Sequence, residues 1–488
     1  MNYRMSIYLL GQISIIIACT LLIPLALSIG YQENGTPIWF SISIAILLSY
    51  GVPAVVKKPQ DTSMKAKGGF ITVAIAWIWL SAVTCLPLML SGILPNFIDA
   101  FFEIVSGFTT TGATVLTNIE IVPKSLLFWR SFTNWLGGMG ILVFLVAVMP
   151  KTDNSFVQVY KAEVPGISFG KMVSKLRFTA RILYAIYIFL SILLFIFLVS
   201  GGMSIFDSII HTFSSAGTGG FSSRNLSIAS YSNLYFEVVI TVFLLLFAMN
   251  FEIYFLILIG HLGAAFKKEE LRGLFAIYFI SVISITASLF SHHIYPSFGE
   301  TLRYSTFQVA SLMSTTGFTT TDYTTWPLFT QLLLLILMVI GGSSSSTAGG
   351  IKISRFITLA KTSIRDIRKT ISPRTVKNVK YDGKIMTDDL TSSVTSFFVI
   401  FMAVFIVSVA LISATNTLSG GEGFLTYISA VIACLSNTGP GLALVGPAYN
   451  YSFFSGFSKV ILSLNMLLGR LELYPILFLF YHKAWKRY

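Results

Sequence analysis

Apolar runs, most of them near the 20 or so residues that cross a bilayer as one helix, recur along the chain near 7–29, 38–56, 70–94, 126–149, 182–200, 234–259, 274–290, 328–340, 394–413 and 460–480. After the first two they fall into pairs. Within each pair lies a shorter segment of mixed character, such as Phe206-Asp207-Ser208-Ile209-Ile210-His211-Thr212-Phe213 or Ser305-Thr306-Phe307-Gln308-Val309-Ala310-Ser311-Leu312, followed by a polar turn. Such segments are too short to span. They predict half-helices that enter the membrane and return, which is tolerated at depth only where protein or a water-filled pore covers the backbone.

The four turns repeat one pattern. They read Thr109-Thr110-Thr111-Gly112-Ala113-Thr114, Gly217-Thr218-Gly219-Gly220-Phe221-Ser222, Ser314-Thr315-Thr316-Gly317-Phe318-Thr319 and Ser436-Asn437-Thr438-Gly439-Pro440-Gly441. A single copy reads as a polar turn between helices. Four copies, with glycines 108, 97 and 122 positions apart, point to a repeating unit arranged as a ring. Asp99 and Asp207 precede their glycines by 13 positions, Glu300 and Glu422 by 17. An acid opening a short helix is favoured by the helix dipole, and a difference of four is about one turn. The predicted fold is an all-α integral membrane protein. An N-terminal transmembrane pair occupies 1–66, and four repeats of span, half-helix, filter loop and span occupy 67–178, 179–268, 269–388 and 389–488 around one pore.

A cation crossing a bilayer must shed its water, and a ring of backbone carbonyls can replace that shell. Glycine, free to take φ > 0, permits the turn that aims successive carbonyls at one axis, and neighbouring hydroxyls can add ligands. The candidate filter residues are Thr110, Thr111, Gly112, Thr218, Gly219, Gly220, Thr315, Thr316, Gly317, Asn437, Thr438 and Gly439.

Two further breaks interrupt the apolar pattern. The run at 328–340 is too short to cross alone and leads into Gly341, Gly342, Ser343, Ser344, Ser345, Ser346, Thr347, Ala348, Gly349 and Gly350. This stretch reads either as a cytoplasmic linker or, because the short run leaves it within the membrane thickness, as a loop gating the pore. Arg470 lies in the last span, about ten residues, or roughly 15 Å of helix, from its cytoplasmic end, which makes snorkelling difficult. It either faces the pore as a positive barrier or pairs with an acid from another helix, such as Glu252.

Composition places the chain among membrane proteins, with 55% hydrophobic and 11% charged residues. The net charge of +13 reflects topology and not nucleic-acid binding. With the N-terminus inside, 27 Lys and Arg collect on one face, ten of them in 352–384, against five (Lys124, Arg130, Arg224, Arg303, Lys459) on or near the other. That excess marks the cytoplasmic side. Attraction to anionic membrane lipid accounts for the basic 352–384 stretch, and docking of a cytosolic partner is a second reading of it. Ile16-Ile17-Ala18-Cys19 looks like a lipoprotein cleavage site, but the apolar run continues through Leu21, Leu22, Ile23 and Leu25, so a retained first span is expected. Cys19, Cys85 and Cys434 read as buried thiols. Trp39, Trp129, Trp326 and Trp485 fall near span ends, where tryptophan prefers the interface. His211, His261, His292, His293 and His482 have no metal-ligand spacing, which argues against a membrane enzyme.

Four such repeats with single-glycine filters, the extra N-terminal pair, the glycine-serine loop after 328–340 and Arg470 in the last span together resemble the Trk/Ktr/HKT superfamily of potassium transport proteins, and within it the bacterial TrkH family. The resemblance covers nearly the whole chain. It implies potassium at the filter residues, a homodimer in the bacterial inner membrane with one pore per subunit, and a cytosolic TrkA-like nucleotide-binding regulatory ring. It also implies that 341–350 and Arg470 constrict the pore below the filter. No P-loop or dinucleotide fingerprint occurs here, so any nucleotide would reach the complex only through that partner, and no covalent cofactor is expected. A gated potassium pathway and a symporter coupled to protons or sodium both accommodate broken helices at the midplane. Fourfold repetition about one axis, with no repeated acid deep in the spans, favours the first.

Overall fold

Asn2 opens the first helix, its Oδ1 accepting the Met5 N–H at 3.2 Å. The computed structural model describes residues 2–57, 59–61, 64–140, 176–372, 378–418 and 420–485. Helix α1 (Tyr3–Gly30) packs along α2 (Thr36–Val56). Gly11 and Gly51 sit where the two backbones meet, and a Cβ on Gly51 would lie 2.9 Å from the Gly11 carbonyl oxygen. Small residues permit this approach between membrane helices.

Four groups follow, each entering on a long helix: α3 (Ala66–Thr84, extended by α4, Leu86–Leu90), α7 (Leu176–Ser200), α12 (Glu269–Ser291) and α16 (Asp388–Thr415). A short helix comes next in each: α5 (Phe97–Phe108), α8 (Ile205–Gly217), α13 (Phe298–Met313) and α17 (Gly420–Leu435). Asp99, Asp207, Glu300 and Glu422 lie in their first turns, where a carboxylate meets the positive end of the helix dipole. The chain then returns on α6 (Lys124–Gly138), α9 (Leu234–Ala248), α14 (Leu328–Ile340) and α18 (Gly456–Arg470).

All four return helices stop after 13 to 15 residues, or about 20 Å at 1.5 Å per residue, short of the hydrocarbon core. The apolar pattern exposes only the break after 340. The expected span 234–259 is instead α9 followed by α10 (Phe251–Leu258), bent by 89°, and the short α11 (Leu262–Lys267) leads on to α12. The expected span 460–480 is α18 followed by α19 (Tyr474–Phe480), with Glu472 and Leu473 between them at φ 54° and 69°. The span expected at 126–149 ends as a helix at Gly138, and its part beyond 140 lies outside the described residues. Apolar residues run through these breaks because what ends each helix is who receives its orphan backbone groups. Among the described residues, six helices are therefore long and apolar enough to cross a membrane, or seven if the bent pair counts as one span.

After the third group, α15 (Ile353–Ile371) precedes a two-stranded antiparallel hairpin, β1 (Lys380–Tyr381) with β2 (Lys384–Ile385). One hydrophobic cluster joins the N-terminal pair to the first and fourth groups, and Lys459 of α18 reaches Asp99 of α5 at 2.7 Å. Two local expectations are corrected. Trp129 and Trp326 are buried, donating their Nε1–H to Thr84 O (3.3 Å) and Tyr295 Oη (3.0 Å), because each indole finds a protein acceptor in place of the interface. Cys85 and Cys434 are buried, but Cys19 is exposed on the outward face of α1.

Candidate functional site

Each short helix ends in the same cap. The N–H groups of Thr110, Thr218, Thr315 and Asn437 return to carbonyls three residues earlier, at 2.9 to 3.3 Å. Those of Thr111, Gly219, Thr316 and Thr438 return to Ser106, Ser214, Ser311 and Ala433 at 2.8 to 2.9 Å. This six-to-one bond is the Schellman closure. The capping residues take φ of 55°, 55°, 55° and 56° without being glycine, a conformation that costs roughly 1–3 kcal/mol each and persists only where surroundings impose it.

Two residues on, Gly112, Gly220, Gly317 and Gly439 take φ of 81°, 68°, 81° and 95°. A Cβ on Gly112 would fall within 3.0 Å of the Gly219 carbonyl oxygen, on Gly220 within 3.0 Å of Thr316 O, on Gly317 within 3.0 Å of Thr438 O, and on Gly439 at 2.5 Å from Thr111 O. Each glycine therefore abuts the carbonyl just before the next repeat's glycine, and the fourth returns to the first. The contacts close a ring of four equivalent carbonyls. All four glycines also line one cavity of about 80 Å³.

Side chains that the sequence did not mark hold this ring. Glu103 of α5 and Arg130 of α6 form a buried ion pair at 2.5 Å. Glu103 also accepts from the Thr114 hydroxyl (2.9 Å) and the Val115 N–H (2.9 Å) of the first loop. Arg130 donates to Ser222 O at 3.3 Å and covers the Phe221 ring at 3.5 Å in the second loop. Removing one member of a buried pair strands the other charge, a loss of about 3–5 kcal/mol. Tyr451 donates its hydroxyl to Gly439 O at 2.7 Å and its N–H to Thr114 O at 2.8 Å, linking fourth loop to first. Glu103 and Arg130 lie 27 positions apart, and Arg130 alone reads as an outer-face charge, so no local signal in the sequence joins them.

Below the ring the glycine-serine stretch folds back on itself. Ile351, Lys352 and Ile353 donate their N–H groups to Val339, Ile340 and Gly342 at 2.9, 2.9 and 3.0 Å. This brings Gly341 and Gly342 against Ala348, Gly349 and Gly350. Its tip reaches the ring: Gly349 N–H donates to Thr315 Oγ1 at 2.6 Å and Gly350 N–H to Ser436 O at 3.0 Å. A Cβ on Gly349 would fall within 3.0 Å of that Ser436 oxygen. Ser346 Oγ bonds Ser343 O at 2.6 Å within the loop.

Arg470 ends α18 beside this loop. Its guanidinium donates to Thr347 O at 2.8 Å and to the carbonyls of Gly137 (2.5 Å) and Gly138 at the end of α6. Three elements from three groups are thus tied by one cation through backbone oxygens. The expected alternative partner, Glu252, is not among these acceptors, and the neighbouring Glu472 pairs with Arg355. Arg470 lines a cavity of about 70 Å³ with Trp77, Gly138, Ser345, Gly349 and Lys352. Lys352, at φ 83°, donates its ammonium to Ala348 O. The sequence places Lys352 among the cytoplasmic charges, and only the folded-back loop turns it into this cavity.

The comparisons with known proteins cover the whole chain. A family model described as TrkH, cation transport protein, matches residues 38–487. The Trk system potassium uptake protein TrkH of Escherichia coli (strain K12) is 34% identical over 493 residues, covering 100% of both chains. TrkG of the same organism is 31% identical over 489 residues, covering 99% of each. The crystal structure of the potassium transporter TrkH from Vibrio parahaemolyticus aligns with a TM-score of 0.89 at 32% identity over 100% of both chains. These are transport proteins and not enzymes. By full-length sequence and by fold, this multi-pass membrane chain belongs to the TrkH family of cation transport proteins.

Proposed function

We propose that this protein takes potassium into the cell through a channel-like pore, with the four glycine loops as filter and the 341–350 loop with Arg470 as intracellular gate. The observation that carries the reading is the closed ring of equivalent carbonyls, at Thr111, Gly219, Thr316 and Thr438, each against the next loop's glycine. Carbonyls at fixed positions can substitute for an ion's hydration shell. Potassium is the cargo named for the TrkH and TrkG relatives. The Lys and Arg asymmetry supports a cytoplasmic N-terminus, with the filter toward the outside. Reversal potentials in proteoliposomes under separate potassium, sodium and proton gradients test this. The expected potential follows the potassium gradient alone. A potential moved by the proton or sodium gradient would replace the passive pore with a symporter, and absence of any potassium-dependent potential would refute the reading.

We further propose that a homodimer of this chain works with a cytosolic nucleotide-binding ring that docks on α15. This helix continues directly from the gate and carries exposed Arg368 and Lys369 beside exposed Ile364, Ile367 and Ile371. Arg365 is already engaged by Asp366 at 2.9 Å and Asp388 at 3.2 Å, so the more informative variants are Arg368→Glu and Lys369→Glu. Together they are expected to reduce co-purification of the ring by about tenfold, an effect of about 1.4 kcal/mol. Undiminished binding would leave anionic lipid as the partner of these charges.

A further inference from the structure

The break between α9 and α10 leaves the Phe247 and Ala248 carbonyls and the Phe251 N–H without helical partners. The 341–350 loop supplies them. Ser343 N–H donates to Ala248 O at 2.9 Å, the Thr347 hydroxyl to Phe247 O at 3.2 Å, and Phe251 N–H donates to Ser345 O at 3.1 Å. Between these backbone contacts sits a carboxylate. Glu270, in the first turn of α12 and only 5% exposed, accepts the Ser344 N–H on Oε1 at 2.6 Å. Its Oε2 accepts from Asn250 Nδ2 at 3.0 Å, and Asn250 in turn caps α10 through the Glu252 N–H at 2.9 Å.

The start of α12 is anchored at its N-terminal flank. Lys268 pairs with Asp382 of the hairpin at 2.9 Å, Glu269 N–H donates to the same carboxylate at 2.8 Å, and Lys361 of α15 pairs with the Glu269 side chain. Glu270 thus joins a clamped element to the middle of the loop. Behind the loop lies a cavity of about 740 Å³ lined by Glu270, Ser344, Ser345 and Ser354. Ser345 also lines the smaller cavity beside Arg470, so the loop stands between the two spaces.

We infer that Glu270 is the positioning residue that latches the loop across the pore, and that the cavity behind Ser344 is the room into which the loop withdraws when this bond is released. The inference rests on the reading of 341–350 as a gate. A hydrogen bond to a charged group is among the stronger side-chain contacts of a folded chain. Its loss shifts the loop toward the open arrangement, and the Glu270 carboxylate itself bonds Ser344 and Asn250 and not the filter loops.

The test compares rubidium flux per folded transporter in the full-length chain, Glu270→Ala, a deletion within 343–347, and the two combined. Glu270→Ala is expected to raise flux about tenfold and to add nothing on top of the deletion, because residues acting through one element are not additive. A thiol placed by Ser345→Cys should react about tenfold faster with a cytosolic thiol reagent in the Glu270→Ala background, a change that general destabilisation without loop movement would not produce. Glu270→Gln keeps the side-chain volume and one acceptor, and serves if the alanine variant fails to fold; its expected rise is about threefold. A gain from the deletion with none from either Glu270 variant, or an equal Glu270 effect in the deleted chain, would overturn the latch while leaving the gate. No gain from the deletion itself would overturn the gate reading and the latch with it.

Discussion

In a host that lacks its own potassium uptake, Gly317→Ser is expected to lower rubidium uptake by about a hundredfold, equivalent to about 2.7 kcal/mol in the barrier, and to shrink the potassium-to-sodium ratio, while the protein still inserts. Gly317 sits at φ 81°, and a Cβ there would run into Thr438 O and lie 2.5 Å from Pro440 Cδ. Both neighbours belong to the next loop, so relief has to come from moving one of the four ring carbonyls. Strained backbone alone costs about 1–3 kcal/mol for a residue with a side chain. Gly92 separates that term from the clash. It has φ 77°, but a Cβ there meets nothing within 4 Å. Gly92→Ser therefore carries the strain without the displaced carbonyl, and its uptake should stay within about twofold of the parent. Equal uptake and an unchanged ion ratio in the Gly317→Ser chain would show that the ring does not select the ion.

Removing the charge at Arg470 acts in the opposite direction. Arg470 and Lys352 line one small cavity below the ring, so on the proposed pathway an entering cation would meet two like charges there. At about 5 Å and an effective dielectric of 20, one such pair repels by roughly 3 kcal/mol, or about a hundredfold in rate. Arg470→Ala is expected to raise rubidium flux per folded transporter by up to that amount. Deleting residues within 343–347 should raise it too, by opening the same constriction. The two together should give less than the product of their separate effects, since Arg470 holds the loop through Thr347 O. If Arg470 serves only to satisfy the carbonyls of Gly137, Gly138 and Thr347, its loss leaves three buried acceptors unpaired and lowers folded protein in the membrane. Normal yield with unchanged flux in both single variants would remove the gate from the mechanism.

The residues that the sequence left unmarked share a physical character. Glu103 and Arg130 each have a sufficient local reading, as a helix residue and as an outer-face charge, and acquire their joint role only when α5 meets α6. Glu270 reads as an ordinary acid at a helix start, favoured there by the dipole. Its second function needs Ser344, 74 positions away. Lys352 counts toward the basic cytoplasmic excess until the folded-back loop turns it inward. Glu103 and Arg130, 27 positions apart, and Glu270 and Ser344, 74 apart, are partners that no local window contains; Lys352 bonds Ala348 only four positions away, but the pair meets only because the loop folds back.

What the chain specifies locally is the set of long helices, the short helices with an acid in their first turn, and the four turns, because run length, dipole complementarity and tolerance of positive φ are properties of a few consecutive residues. Tertiary structure decides where α6 and α9 stop, whereas Gly341 and Gly342 already mark the end of α14 in the sequence. The stretches around 249, 341 and 471 differ in composition, yet all end a helix of similar length. A helix in a low-dielectric setting can end only where something else receives its free carbonyl and amide groups. Here the 343–347 loop receives the Phe247 and Ala248 carbonyls of α9, the Arg470 guanidinium receives those of Gly137 and Gly138 at the end of α6, and the folded-back Ile351 and Lys352 N–H groups receive those of Val339 and Ile340 at the end of α14.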